Sequence, residues 1–226
     1  MFPGFPPEAL KFLGALKRNN SRDWFQEHKE TFDSKVMAPM LALVDDVNQG
    51  LFKFAPEHAA VPKKAVYRIY RDTRFSNDKT PYKTHIAAIF PPKGLQKHPS
   101  AGFYFQISPE NVGIAAGAYM PGTEELLAMR NWLTANHKAF QATCKKTEKV
   151  FGKLGGTALV RSPKGFDPAH PAADLVRHKQ WFFWKELDAD LANSPKLLSE
   201  IVKHFQAAAP VLEMLNQPLQ HKKEKH

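Results

Sequence analysis

Two neighbouring runs of alternating side chains, residues 101–108 and 111–119, constrain the fold of this chain most strongly. In the first run Phe103, Phe105 and Ile107 share one face, because successive side chains of a strand point to opposite sides. The second run continues the alternation after a Pro-Glu dipeptide. So short a connection predicts an antiparallel hairpin with one apolar face.

Apolar residues recur at helical spacing before this hairpin, again from Thr123 to Gly155-Gly156 with an interruption near Asn136-His137, and from Ser194 onward. Further strands are predicted at residues 65–72, 84–90, 158–161 and 180–187. Helices, then a hairpin-rich sheet, then helices indicate an α+β fold rather than alternating βαβ units. We expect one domain over residues 1–216, an antiparallel sheet of about four to six strands with helices packed on its apolar face. A disordered polar tail is expected over residues 217–226.

Composition excludes several classes of protein. Of the 226 residues 43% are hydrophobic and 24% charged, which is ordinary globular usage. No window approaches the roughly 18 uninterrupted apolar residues of a membrane span, and we expect no membrane partner and a cytoplasmic location. The single Cys144 excludes an internal disulfide and lies in a helical pattern, where a small core residue is expected rather than a nucleophile.

Positive charge is concentrated in one segment. The formal net charge is +10, and residues 61–108 hold nine basic residues against Asp72 and Asp78. Local ion pairing therefore neutralises only part of the segment. Its remaining partners are either the acidic N-terminal helices or an external anion.

Residues 68–83 read Arg-Ile-Tyr-Arg-Asp-Thr-Arg-Phe-Ser-Asn-Asp-Lys-Thr-Pro-Tyr-Lys. This stretch resembles the signature of an uncharacterised conserved-hypothetical family catalogued as domain of unknown function 2461. Other parts of the chain agree with that family: Asn19-Asn20, Trp24-Phe25, Gly102-Phe103-Tyr104, Gly117-Ala118-Tyr119-Met120-Pro121, Pro163-Lys164-Gly165-Phe166 and His170-Pro171. The resemblance implies one domain of conserved-hypothetical type and carries over no catalytic residue.

The second face of the predicted sheet is a candidate ligand floor. If the registers align, its polar and aromatic side chains come from Arg68, Tyr70, Tyr104, Gln106 and Tyr119. Small residues between them leave room for a ligand. The alternative is a helix packed closely against the glycines of this face.

The segment from Arg71 to Lys83 is the second candidate feature. Its polar, punctuated middle predicts a surface loop that brings Arg74, Lys79 and Lys83 to the mouth of the sheet face, where such side chains bind phosphate or carboxylate oxygens. Asp72 and Asp78 orient these bases in this interpretation. In the alternative interpretation, a buried Arg-Asp network only pins the loop. Arg161 and Lys164, from a late turn-rich segment, are candidates to complete the pocket.

Sharper motifs are absent. Ser76-Asn77-Asp78-Lys79 matches an S-x-x-K pattern, but Pro81 opposes the helix that this motif needs. The histidines form no metal-binding motif and no glycine-rich phosphate loop is present, so neither a metal nor a cofactor is predicted.

The sequence therefore predicts a protein that binds an anionic small molecule, and it decides neither whether a reaction follows nor the oligomeric state. We expect Arg68 and Arg71 to contribute most, and Lys63 and Lys97 little. The alternatives are a nucleic-acid-binding module that uses residues 61–108, or an interaction protein that docks an acidic partner. The candidate ligand-binding residues are Arg68, Tyr70, Arg71, Asp72, Arg74, Asp78, Lys79, Lys83, Tyr104, Gln106, Tyr119, Arg161 and Lys164.

Overall fold

A computed structural model of the chain describes residues 2–74 and 76–220. The N-terminal helices are α1 (Pro7–Arg18), α2 (Arg22–Glu27), α3 (Lys29–Thr31), a π-helical segment (Phe32–Met37) and α4 (Ala38–Leu51). Local chemistry sets their starts. Pro7 occupies the first turn of α1, and the Ser21 hydroxyl accepts a hydrogen bond from the Trp24 backbone N–H at 3.3 Å to cap α2.

A four-stranded antiparallel sheet forms the centre of the fold, with strand order β1-β2-β3-β4. The strands are β1 (Ile86–Phe90), β2 (Gly102–Ile107), β3 (Asn111–Ala118) and β4 (Trp181–Asp188). The remaining α-helices are α5 (Pro62–Ala65), α6 (Thr123–Phe151), α7 (Ala173–Arg177) and α8 (Leu197–Gln220). The predicted α+β class and the predicted hairpin are confirmed.

One face of the sheet is buried against helices, chiefly α8. The Phe205 ring stacks on Phe103 with centroids 4.6 Å apart and meets the edge of Phe90 at 5.7 Å. All three rings are fully buried. Aromatic pairs in such geometry contribute about 0.5–1.5 kcal/mol beyond their burial, so this contact fixes which face of the sheet is the core.

Two predicted strands do not form. Residues 65–72 make only isolated bridges, Val66 to Ala88 and Tyr70 to Tyr82, and Ala65 itself belongs to the helical turn that Pro62 starts. In the segment 158–161 the only bridge between described residues is Ala158 to His178.

The helix ends also differ in part from expectation. Helix α6 is interrupted at Asn136, as predicted, where the backbone φ of −116° leaves the helical region. It ends at Phe151, before Gly155, because Gly152 adopts a φ of +97°. Residues 217–220 were expected in a disordered tail but belong to α8, since buried Leu219 extends its apolar stripe. The rest of that predicted tail lies outside the described residues. None of the helices in the described part of the chain combines the length and apolar character of a membrane span.

Three asparagines each clamp both backbone groups of one residue in a connecting segment. Asn20 binds Tyr82, Asn48 binds Ala60, and Asn216 binds Ala101, with N···O distances of 2.8–3.0 Å. A side-chain amide matches a backbone N–H and C=O because it offers one donor group and one acceptor. These clamps hold irregular backbone against the helices.

The Asn216 clamp gives the first testable prediction. Asn216→Ala leaves the buried backbone N–H and C=O of Ala101 without partners, and we expect a loss of about 2–4 kcal/mol in the free energy of unfolding. The melting temperature should fall by roughly 5–15 °C for a chain of this size. The control is Asn131→Ala on the exposed surface of α6. Equal melting temperatures for the two variants would contradict a structural role of the clamp.

Candidate functional site

The second face of the sheet forms the floor of a pocket of about 790 Å³. Cross-strand pairing places Tyr104 opposite Ala115 and Gln106 opposite Gly113, so large polar side chains alternate with small ones. Tyr104, Gln106 and Tyr119, which the sequence placed on this face, all line the pocket. The alanine and glycine positions of the sheet leave open space on this face, and that space is the pocket.

The glycines make room for strand β4 rather than for a helix. A Cβ atom on Gly113 would lie 2.5 Å from the Trp184 ring. Gly117 has a φ of +140°, and a Cβ there would lie 2.2 Å from the carbonyl oxygen of Trp181. The expected alternative of a helix against Gly113 and Gly117 is therefore wrong, because Trp184 and the backbone of β4 occupy that position.

Three lysines border this pocket. Lys83 and Lys97 both approach the ring of Tyr67, their Nζ atoms lying 5.1 Å and 4.6 Å from its centroid. Lys153 is the third lysine, on the loop after α6. Among residues 2–74 and 76–220, no aspartate or glutamate lines the pocket. Ammonium groups over an aromatic face form cation–π contacts, which hold the lysines in place without neutralising them.

The hydrogen bonds of Lys83 and Lys97 go to uncharged carbonyl oxygens and do not neutralise the two ammonium groups. The Nζ of Lys83 donates to the carbonyl oxygen of Arg68 at 3.0 Å, and the Nζ of Lys97 donates to that of Lys64 at 3.3 Å. Within residues 2–74 and 76–220 no carboxylate lies within 4.0 Å of either ammonium. Burial lowers the pKa of both lysines, and the positive charges of Arg68 and Lys97 lower the pKa of Lys83 further. An anion in the pocket would relieve this repulsion.

Burial favours the neutral form of three other groups of the pocket, Tyr67, His85 and Tyr104. Burial raises the pKa of Tyr104, whose hydroxyl donates to Gln106 Oε1 at 2.8 Å, and burial also raises the pKa of Tyr67. Burial and the charge of Lys83 lower the pKa of His85. The lysines therefore supply the formal positive charge of this pocket.

The loop after Arg71 does not close the pocket as expected. Arg71 pairs with Asp78 and donates to Thr80, and Arg74 contacts Asp72 in a bidentate manner, at 3.0 Å from Nε and 2.8 Å from Nη2. Hydrogen bonds from these arginines lower the pKa of Asp72 and of Asp78 to about 2. The ion pairs pin the loop, as in the alternative interpretation, although on the surface rather than in the interior.

The remaining predicted residues also lie outside the pocket, with one exception. Lys83 lines it, whereas Arg68 lies outside and acts on Lys83 through its carbonyl oxygen, which accepts a hydrogen bond, and through its positive charge. Tyr70 packs near Tyr82 at a centroid distance of 5.3 Å, and Lys79 donates to the Thr73 carbonyl oxygen at 2.9 Å. Arg161 and Lys164 are exposed and do not reach the pocket, because their turn-rich segment is placed elsewhere on the surface.

The sequence patterns did not predict that several further residues line the pocket: Tyr67, His85, Lys97, His98, Lys153, Phe182 and Trp184. Strand alternation could have placed His85, because alternate residues share a face and Ala87 and Ile89 lie on the pocket face. No local pattern places Lys97 or Lys153, since long loops bring them to the rim. Within the described ranges no group of three or more His, Cys, Asp or Glu side chains is arranged to hold a metal ion.

Comparison with known proteins identifies the family. The model of a family described as conserved hypothetical protein (DUF2461) matches residues 8–214, and the chain therefore belongs to this family. The resemblance of residues 68–83 is thereby confirmed. No curated protein matches the chain.

Cys144 gives the second prediction. The thiol is buried in α6, and burial raises its pKa to about 12. Because the thiolate is the reacting form, Cys144 in the native protein should react with a disulfide reagent at pH 8 at least about a hundredfold more slowly than in denaturant. Rapid stoichiometric labelling of the native protein would contradict its placement as a core residue.

Proposed function

We propose that this DUF2461 protein binds a small molecule that carries a phosphate or carboxylate group on an apolar or aromatic body. The observation that carries the proposal is that Lys83, Lys97 and Lys153 border a pocket floored by aromatic rings, while no carboxylate of the described part of the chain lines it. The lysines supply the charge that an anion needs, and the rings supply a surface for the rest of the ligand.

The dimensions of the pocket favour a small molecule. Its volume of about 790 Å³ is within the usual range for ligand pockets, roughly 300–1,000 Å³. Tyr104 and Trp184 lie on its floor with ring centroids 6.4 Å apart, and Tyr119 and Phe182 meet edge to face at 5.2 Å. A planar or apolar group can pack between these two pairs of rings, while its anionic group faces the lysine rim.

The fold leaves Lys83 and Lys97 without a carboxylate partner among the described residues. Clustered lysines destabilise a protein through mutual repulsion, and burial removes part of their hydration. A bound anion offsets both effects. Functional sites commonly contain such locally unfavourable arrangements, which the rest of the fold stabilises.

The third prediction uses a panel of nucleotides, aryl phosphates and aromatic carboxylates. A ligand of this class at 100 times its Kd adds about 2.7 kcal/mol of stability and should raise the melting temperature by roughly 5–10 °C. Lys83→Ala should abolish the shift, and so should Lys97→Ala, contrary to the small contribution expected from sequence, because Lys97 lines the pocket. Lys93→Ala removes the same charge from an exposed site on the same connection and should preserve it. Arg71→Ala should also preserve it, contrary to the expectation from sequence, since Arg71 is paired with Asp78.

Two outcomes would count against this function. If no ligand raises the melting temperature beyond the ionic-strength control, the pocket does not bind anions of this class. Equal losses in Lys93→Ala and Lys97→Ala, with log affinity for duplex DNA falling against log salt at a slope near −4 to −5, would instead support the nucleic-acid alternative.

The fourth prediction concerns protons. The pKa values of free Lys83 and Lys97 are lowered, so an anion that binds between them raises those values again. Binding should therefore take up protons in the alkaline range and weaken as pH rises toward the ordinary lysine pKa. Calorimetry in buffers of different ionisation enthalpy measures this uptake. Proton release on binding, or constant affinity up to pH 11, would exclude the lysines as the anion contacts.

A further inference from the structure

A second pocket of about 480 Å³ lies beside the first, and Tyr119 and Met120 line both. Its other walls come from the first turns of α6, from the segment around Thr157 and Leu159, and from Lys179 and Gln180 before β4. None of its lining residues is acidic. The pocket is therefore positive in formal charge through Arg130 and Lys179.

Arg130 is the unusual residue of this second pocket. Its side chain belongs to the stripe of α6 that also holds Leu126, Met129 and Leu133, and only 9% of the residue is exposed. An arginine in an apolar stripe needs partners, because the desolvation of a charge is costly when it is not paired.

The partners of Arg130 within the protein are few. Its Nη2 donates to the carbonyl oxygen of His178 at 3.0 Å, while its buried Nε has no hydrogen-bond partner. No ion pair to Arg130 exists among the residues that the structure describes. Burial lowers the pKa of Arg130, and no charged neighbour contributes to that shift. The guanidinium remains protonated at any physiological pH.

We infer that the second pocket binds the phosphate or carboxylate group of a small molecule on the Arg130 guanidinium, with Lys179 beside it. The planar guanidinium offers parallel N–H donors that match two oxygens of such a group. Met120 and Leu159 give the pocket apolar walls beside Arg130, whose own side chain is largely buried. This second site does not depend on ligand binding in the first pocket.

Thermal unfolding with inorganic phosphate, and separately with citrate, tests this site against sodium chloride of equal ionic strength. Both anions should raise the melting temperature, by roughly 5–10 °C at 100 times the Kd. Arg130→Met replaces the guanidinium with an uncharged, apolar side chain of similar length and should abolish the rise in melting temperature. Arg130→Lys retains the charge but not the fork and should weaken binding at least about tenfold. Lys138→Ala, on the exposed surface of α6, should preserve the response.

The Lys97→Ala variant separates the two pockets. A phosphate response that survives Lys97→Ala and disappears in Arg130→Met supports the second site. The reverse pattern assigns the anion to the first pocket and overturns the inference, as does the absence of any response in the wild type. A response to citrate but not to phosphate identifies a carboxylate as the group bound and still supports the site.

A measurement on the wild type tests the site independently of whether the variants fold. The Nε–H resonance of Arg130 in an isotope-labelled sample should shift on titration with phosphate and saturate, because an anion bound to the same guanidinium changes the electric field at the buried Nε. The Arg130→Lys spectrum assigns this resonance by its loss. An unchanged Nε–H resonance at saturating phosphate would overturn the inference even if Arg130→Met failed to fold.

Discussion

The contact of Phe205 in α8 with Phe103 and Phe90 of the sheet determines the rest of this structure. Side chains of a strand alternate, so burying one face commits every intervening residue to the other face. That second face carries Tyr104 and Gln106 beside alanines and glycines, and it is where the pocket forms. A register shift by one residue would exchange the two faces, and it would remove the apolar core and the pocket together. The pocket is thus a consequence of how the core packs.

The polar clamps and the ion pairs shape what surrounds the sheet. Asn20 holds both backbone groups of Tyr82, directly before Lys83, and thereby fixes the backbone from which that lysine reaches the pocket. The Arg71–Asp78 pair folds the neighbouring loop onto itself. Basic residues that are adjacent in sequence consequently have different roles, since some are neutralised locally while Lys83 and Lys97 are not.

Strand alternation alone was sufficient to predict the hairpin, its apolar face and the meeting of Tyr104, Gln106 and Tyr119. It failed for residues 65–72, which make only two isolated bridges, one to β1 and one to Tyr82. The sequence shows that Arg71 and Asp78 are near each other but not that they pair. Lys97, Lys153 and Arg130 reach their pockets through tertiary packing, which has no local pattern, although an arginine within the apolar stripe of α6 was a visible anomaly.

Native mass spectrometry tests most directly whether the lysine-rimmed pocket holds an anion. The freshly purified wild type and the Lys83→Ala/Lys97→Ala double variant are compared, each alone and after titration with aryl phosphates and aromatic carboxylates. We expect one saturable adduct on the wild type, released as an anion on activation, and none on the double variant at the same concentrations. An adduct of equal occupancy on both proteins, or no saturable adduct with any of these anions, would contradict the account.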